Sequence, residues 1–436
     1  AVRMTVGYAT TYDPYTGLLN NFWVDKAEVT VQTGLPVQKT LDWLTLDFAD
    51  EIVVPGDAWA DWDPVTQTFI TVDEKIVLDV AKAEEALKAA EDSIPELEAA
   101  LEEAEAALEE LGEDAEEEAK TEAETAVEEA QAALTKAQES IPVLTQELAD
   151  KQAVTKVTAT AKSRVYFRED LFDVVKWHDG SNLEMADIMM SYIMGFDRPK
   201  EESAIYDKQP VGSFNLFMQT FKGFKIVSTD PLIMEGYEDT FSADAELLVP
   251  VGYTWINNFQ GEGSFASYAM MNSAEAAQEL AYTEAKANEL EIEQTSTIGG
   301  PSLEILGKHL DQLIADGTIP YEPTLGQYIT KEQAIARYQA LKAHFEKYGN
   351  YHQGVGPYFL KSVDLNGKSL VMAHWDQYPD LADRWSMYSA PKLADVEIDG
   401  PGQVVGGEEA TFDIYVTFQG EPYELDDIKE VKFLVY

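Results

Sequence analysis

The chain has 436 residues, more than one compact domain holds, and 45% apolar content with eight tryptophans supplies real cores and excludes global disorder. Its 80 acidic and 31 basic residues leave a net charge of −49, a surface that repels phosphate backbones and anionic membranes and so excludes nucleic acid as a partner. Cysteine is absent, which removes disulfides, thiolate nucleophiles and cysteine-based zinc and iron–sulfur sites together.

Residues 1–77 are rich in aromatic and β-branched residues broken by turn signals such as Thr11-Tyr12-Asp13-Pro14, and they read as short strands and long loops. Trp59, Trp62 and the Asp61/Asp63-Pro64 turn form an aromatic and acidic cluster, either a small surface-capping core or a platform for a sugar or peptide. Residues 78–152 change abruptly to Ala, Glu, Leu and Lys, with Gly112 the only glycine and 24 acidic residues against 5 lysines. Leu87, Ile94, Leu97, Leu101, Leu108 and Leu111 recur at helical spacing, as do Val127, Leu134, Ile141, Leu144 and Leu148. This heptad-like pattern, with a reversal at Gly112-Glu113-Asp114, predicts an antiparallel coiled-coil hairpin. Pro95 and Pro142, each in a Ser-Ile-Pro block, are expected to cap or kink a helix. The charge run reads as a solvated face or as an arm that contacts neighbouring molecules.

Alternation returns from Val154 to Phe167, a strand, so the hairpin is expected as an insertion between two strands of one host domain, at a hairpin tip. The stretch 165–400 alternates strands and helices as α/β or α+β domains do. Helices are predicted over 274–290, over 302–315 and over Lys331–Tyr348 with Thr330 as N-cap, and a β-hairpin turns at Thr229-Asp230-Pro231. Residues 391–436 alternate around Gly-rich turns and read as the opening half of an immunoglobulin-like sandwich. Lys429 to Tyr436 reads as a strand without a partner after it, and Ala1-Val2-Arg3-Met4 is unlike a signal peptide. The natural polypeptide is therefore expected to begin before Ala1 and to continue past Tyr436. No apolar run reaches the roughly 18 residues of a membrane helix.

The segment from Leu171 to Met189 contains Lys176-Trp177-His178-Asp179-Gly180 and, after it, Ala186-Asp187-Ile188. Further on come Phe345-Glu346-Lys347-Tyr348-Gly349 and Gly354-Val355-Gly356-Pro357-Tyr358, followed by an apolar strand ending at His374-Trp375. In this order and spacing the motifs resemble the family 5, oligopeptide-binding type of extracellular solute-binding proteins. The stretch 391–436 is similar to the β-sandwich appended in large archaeal and Chloroflexi-like members. The resemblance implies periplasmic-binding-protein-like type II lobes, with 1–77 a strand-rich part of a lobe, 78–152 an inserted acidic coiled coil, 153–390 the α/β lobe or lobes and 391–436 a truncated sandwich. It implies an extracellular or cell-surface protein, anchored through a part outside this chain, that delivers a peptide or similar small solute to an ABC transporter permease. The coiled coil is not general to the family, and most of an N-terminal lobe is not evident here.

Read by themselves, the motif residues are structural. Asp179-Gly180 makes a tight turn with glycine at positive φ, Asp187 accepts hydrogen bonds from its neighbours, and His178 is a packing residue or a ligand contact. No catalytic constellation stands out. The five histidines at 178, 309, 344, 352 and 374 lack metal-ligand spacing, no phosphate loop is present, and the Gly299-Gly300-Pro301-Ser302 loop feeds a helix whose first N–H groups either hold an anion or are capped by Ser302, the N-cap being the expectation. The expectation is a binder without cofactor, whose surface carboxylates suit divalent cations such as calcium. The expected ligand wall is Tyr253, Trp255, Asn257 and Asn258, aromatic and amide groups after a Pro-Gly loop. The competing reading is a structural surface protein, an S-layer or filament subunit that self-associates through 78–152.

Overall fold

Two-residue periodicity builds the largest sheet. The computed structural model describes residues 4–111, 116–258, 261–388, 393–423, 425, 428 and 430–432. Strand β1 (Val24–Gln32) turns Ala27, Val29 and Val31 inward and pairs in parallel with β2 (Leu44–Ala49). Strands β3 (Trp59–Asp63) and β4 (Thr68–Thr71) form a hairpin that runs straight into α1 (Val72–Glu110). Thr71 caps this helix: its hydroxyl accepts from Glu74 N at 3.3 Å, and the Glu74 carboxylate accepts from Thr71 N at 2.8 Å. The helix thus starts six residues before the compositional change at 78. Helix α2 (Glu117–Ala153) returns along α1, with Gln152 near its end donating to Glu84 near the start of α1 at 3.4 Å. Pro95 and Pro142 lie inside these helices, and Ser93 and Ser140, two residues ahead of them, donate to the carbonyls of Ala90 and Ala137. The expected reversal at 112–114 lies outside the described residues.

Strand β5 (Ala161–Phe167) re-enters the sheet with Ala161, Ser163, Val165 and Phe167 buried in alternation. Helices α3 (Met185–Asp197) and α4 (Val211–Thr220) precede the hairpin of β6 (Phe221–Thr229) and β7 (Leu232–Glu238), which turns at Asp230-Pro231 as the sequence predicts. The seven strands stand in the order β2-β1-β5-β7-β6-β3-β4, a mixed sheet in which only β1–β2 is parallel. The arm therefore leaves from edge strand β4 and returns to β5 with three strands between them, which corrects the hairpin-tip expectation.

The single helix expected over 274–290 is two: α5 (Phe265–Ala276) and α6 (Glu284–Leu290), separated by a buried turn through Leu280, Ala281 and Tyr282. The cause is tertiary. The Glu275 carboxylate accepts from Tyr282 N at 2.6 Å, and Leu280-Ala281 pair with Glu293-Gln294, so the chain is pulled inward where propensity alone continues the helix. Helices α7 (Ser302–Asp316) and α8 (Lys331–Tyr348) stop at Gly317 and Gly349, both left-handed. Ser302 is the first residue of α7 and not its cap; its hydroxyl donates to Gln294 O and accepts from Ser296 N, which fastens the preceding loop. Strands β8 (Tyr358–Asp364) and β9 (Ser369–His374) form the last hairpin of this unit.

The chain divides into two units, Ala1–Thr11 with Leu19–Pro379, and Tyr12–Leu18 with Asp380–Tyr436. The second contains a three-stranded antiparallel sheet, β10 (Asp395–Asp399), β11 (Asp413–Phe418) and β12 (Glu421–Pro422) in that order. Of the strand expected over Lys429 to Tyr436, Glu430, Val431 and Lys432 are described and lie in no strand, and the rest lies outside the described residues. The first unit is a mixed α/β structure with two cores: a large one under the sheet and around α3, α5, α7 and α8, and a small one of Ile52, Val54, Ala58, Ala60, Val72, Ala159 and Tyr237. No helix among the described residues is long and apolar enough to cross a membrane.

Candidate functional site

The two motifs, with His178 and Gly356 standing 178 residues apart in sequence, meet in space. Trp177, fully buried, receives Gly180 N on its carbonyl at 2.8 Å and donates its own N–H to Ser181 O at 2.8 Å, closing a turn in which Gly180 sits at φ +90°. Asp179 holds the turn by accepting from Ser181 N at 2.9 Å and Ser181 Oγ at 2.6 Å. His178 N then donates to Gly354 O at 3.0 Å, and its ring Nε2 meets Gly356 O at 3.0 Å. Burial pushes the imidazole down to about 3, so the ring is neutral and donates from Nε2 to that carbonyl. Gly356 has no room for a side chain: a Cβ there falls 2.4 Å from Thr5 C, and its N–H donates to Thr5 O at 2.8 Å. Pro357 accepts Trp375 N at 2.8 Å, and Tyr358 opens β8 with its ring edge-on to His374.

Asp187 joins this turn to the helical core. Its Oδ2 accepts from Glu184 N at 2.9 Å and Trp177 Nε1 at 3.0 Å, and its Oδ1 accepts from Phe265 N and Arg337, both at 2.7 Å. Arg337 reaches from α8 and also donates to Glu184 at 3.1 Å; burial opposes its charge, but the Asp187 carboxylate outweighs this and holds it protonated. Four segments are thereby fixed to one buried carboxylate. Sequence reasoning found Asp187 and missed Arg337, which reads as one charge among several on an exposed-looking helix.

One aromatic of the expected ligand wall is internal. Trp255 is 8% exposed, stacks on Phe167 at 5.4 Å, and spends its indole N–H on Gly7 O at 2.9 Å. Tyr253 is half-buried, with its hydroxyl 2.7 Å from Thr10 Oγ1. Asn257 and Asn258 pair through their backbones with Glu262 and Gly261, and their side chains lie outside the described residues.

A cleft of about 270 Å³ opens elsewhere, bounded by the β3–β4 turn, the end of α3, α5 and the Pro320-Tyr321 corner. At its floor Asp197, 2% exposed, accepts from Trp62 Nε1 at 2.8 Å, Ser203 Oγ at 2.5 Å and Tyr321 OH at 2.9 Å. Burial raises its pKa from the usual carboxylate value. Asn272 is held beside it, its carbonyl accepting from Tyr282 OH. Gln67 and Tyr321 both line this cleft with left-handed backbones, φ 56° and 52°, a conformation that costs a tyrosine energy and concentrates at working sites. Trp62 of the aromatic and acidic cluster therefore serves this floor from within the core, while Trp59 stacks on Phe69 at 4.4 Å. Asp197 and Asn272 carry no local sequence signal, because five separate segments create the site.

Glu262 is a second missed residue. Its two carboxylate oxygens accept from Gly7 N at 2.8 Å and Val355 N at 2.5 Å, tying the N-terminal segment to the Gly354–Gly356 loop, and burial lifts its pKa to about 8. No group of three or more His, Asp or Glu side chains able to hold a metal occurs among the described residues. No family model matches the chain, and no curated protein matches it.

Proposed function

We propose that the chain is an extracytoplasmic solute-binding protein of the family 5 type, a carrier and not an enzyme, that presents a peptide or similar small solute to an ABC importer at the cell surface. The observation that carries this reading is the interlock of the two motifs, His178 bonded to both Gly354 and Gly356. The interlock gives the two motifs one shared structural role, which is what the resemblance expects of them. In this reading the mixed sheet and its helices belong to type II binding-protein lobes, α1 and α2 are an inserted coiled-coil hairpin, and β10–β12 open an immunoglobulin-like sandwich. The domain limits are those drawn from the sequence, with the arm beginning at Val72.

The solute site is the Asp197–Asn272–Tyr321 cleft. Over this closed floor its accessible polar lining, Gln67, Glu202 and Ser273 between alanine and proline walls, suits the N–H groups of a peptide, and no lysine or arginine is among the described residues that line it. The test is titration of the protein with a mixed tripeptide library, alongside Ala276→Trp. Ala276 is exposed on the rim, so the indole fills the cleft with little cost to the fold. Saturable binding lost in Ala276→Trp is expected; binding unchanged by the plug overturns the site.

A second reading has its own observation. Helices of 39 and 37 residues fully bury only Val72, Ala83 and Leu134, so the acidic arm has a large exposed surface open to a partner. A lattice or filament subunit, bridged by calcium on those carboxylates, uses such an arm to self-associate.

A further inference from the structure

The small second core lies beneath a cavity of about 230 Å³ at the base of the arm. Its apolar lining comes from Ala60 on β3, Val72 and Ile76 on α1, Val157 after α2, and Met218 and Phe221 at the α4–β6 junction. Around these groups stand Lys75, Lys151 and Lys222, with Asp79 the only acid in the lining. In a chain with 80 acidic and 31 basic residues, three lysines about one apolar hole are a local concentration of positive charge, of which two are met by acids. Lys75 is shared with Asp79 at 3.1 Å and Asp61 at 3.9 Å, and Lys222 is 3.1 Å from Asp239. Lys151 makes no ion pair or side-chain hydrogen bond among the described residues.

We propose that this cavity binds an amphipathic carboxylate, a short apolar tail in the hole with its anionic head on Lys151. The tail gains from leaving water for Ala60, Val72, Ile76 and Phe221. The head supplies the partner that Lys151 lacks, while the lysines of the rim favour a carboxylate over a neutral or cationic head. A cavity of this size has the space of roughly seven waters at about 30 Å³ each, which fits a chain of moderate length and not a phospholipid. Lys75 and Val72 belong to one root of the arm and Lys151 and Val157 to the other, so a bound molecule touches both roots and the sheet at once.

The site is independent of the Asp197 cleft and of the carrier reading. The test is titration calorimetry on the whole chain with sodium hexanoate and octanoate, with octan-1-ol and octyltrimethylammonium as head-group controls. The peptide acetyl-Leu-Leu, with a free carboxylate, and its amide separate a peptide C-terminus from a fatty acid as the source. One site per chain is expected, with affinity rising about fourfold for each methylene buried and falling with added salt. Lys151→Glu is expected to weaken octanoate at least tenfold and Lys151→Arg to retain it. Val154→Trp, at the exposed mouth, is expected to block entry, and Ala276→Trp to leave octanoate binding unchanged. Tighter binding of acetyl-Leu-Leu than of octanoate, lost in its amide, assigns the head to a peptide terminus; the reverse order assigns it to a fatty acid. Octanol binding as tightly as octanoate, no saturable carboxylate binding, or indifference to both Lys151→Glu and Val154→Trp overturns the proposal.

Discussion

The region around Asp187 and the helical arm are both rich in charge, yet they hold together in opposite ways. At Asp187 one buried carboxylate receives four hydrogen bonds from three helices and a turn, and its charge is balanced by a buried arginine. In the arm the acidic groups stay in water, and each helix is held by its partner and its own backbone ladder. The contrast teaches where charge stabilises: a carboxylate out of water is committed to every donor around it, whereas the described carboxylates of the arm, in water, are committed to few.

Four substitutions or conditions break this contrast or sharpen it. Asp187→Ala leaves Arg337 charged and buried and strands the indole N–H of Trp177, and a loss of about 3–5 kcal/mol is expected in denaturant unfolding, enough to threaten folding. Gly356→Ala drives a methyl group against the Thr5–Val6 backbone, and about 1–3 kcal/mol is expected to be lost.

The pH dependence is expected to carry two opposed slopes. Burial holds His178 at about 3 and His352 at about 4, while both titrate near 6.5 when unfolded. Below 6.5 the unfolded chain therefore binds the extra protons, and this contribution to stability is lost as pH falls toward the folded values. Glu262, lifted by burial to about 8, has the opposite sign: its contribution is intact below about 4.5 and lost as pH rises to 8. His178→Gln is expected to flatten the acid limb of Tm against pH, and Glu262→Gln the limb between 4.5 and 8. The smallest effect belongs to the arm. Replacing residues 78–150 by a short Gly-Ser linker is expected to remove helical circular dichroism and to change the stability of the rest by less than about 1 kcal/mol.

The legible parts of the fold were those fixed by neighbours in sequence. Thr330 with Gln333 starts α8 and Gly349 ends it, and both signals are local. The Trp177–Ser181 turn closes on itself within five residues, so the motif's structural character was readable. The break between α5 and α6 was not, because the inward pull on Leu280–Tyr282 depends on the buried Glu275 carboxylate and a pairing with Glu293. The site was less legible still. Arg337 lies 150 residues from Asp187 and Glu262 lies 255 from Gly7, and nothing about either residue's own surroundings in sequence announces burial. The aromatic and amide content of 253–258 pointed to a binding surface, but Trp255 is a core residue whose donor is already used.

The most direct test of the carrier reading is native mass spectrometry of gently purified protein, with calcium and then with chelator. A monomer holding a small adduct that leaves on denaturation is the expected result, and the adduct's mass identifies the class of solute. Large calcium-dependent oligomers without an adduct would contradict the carrier and assign the arm to assembly.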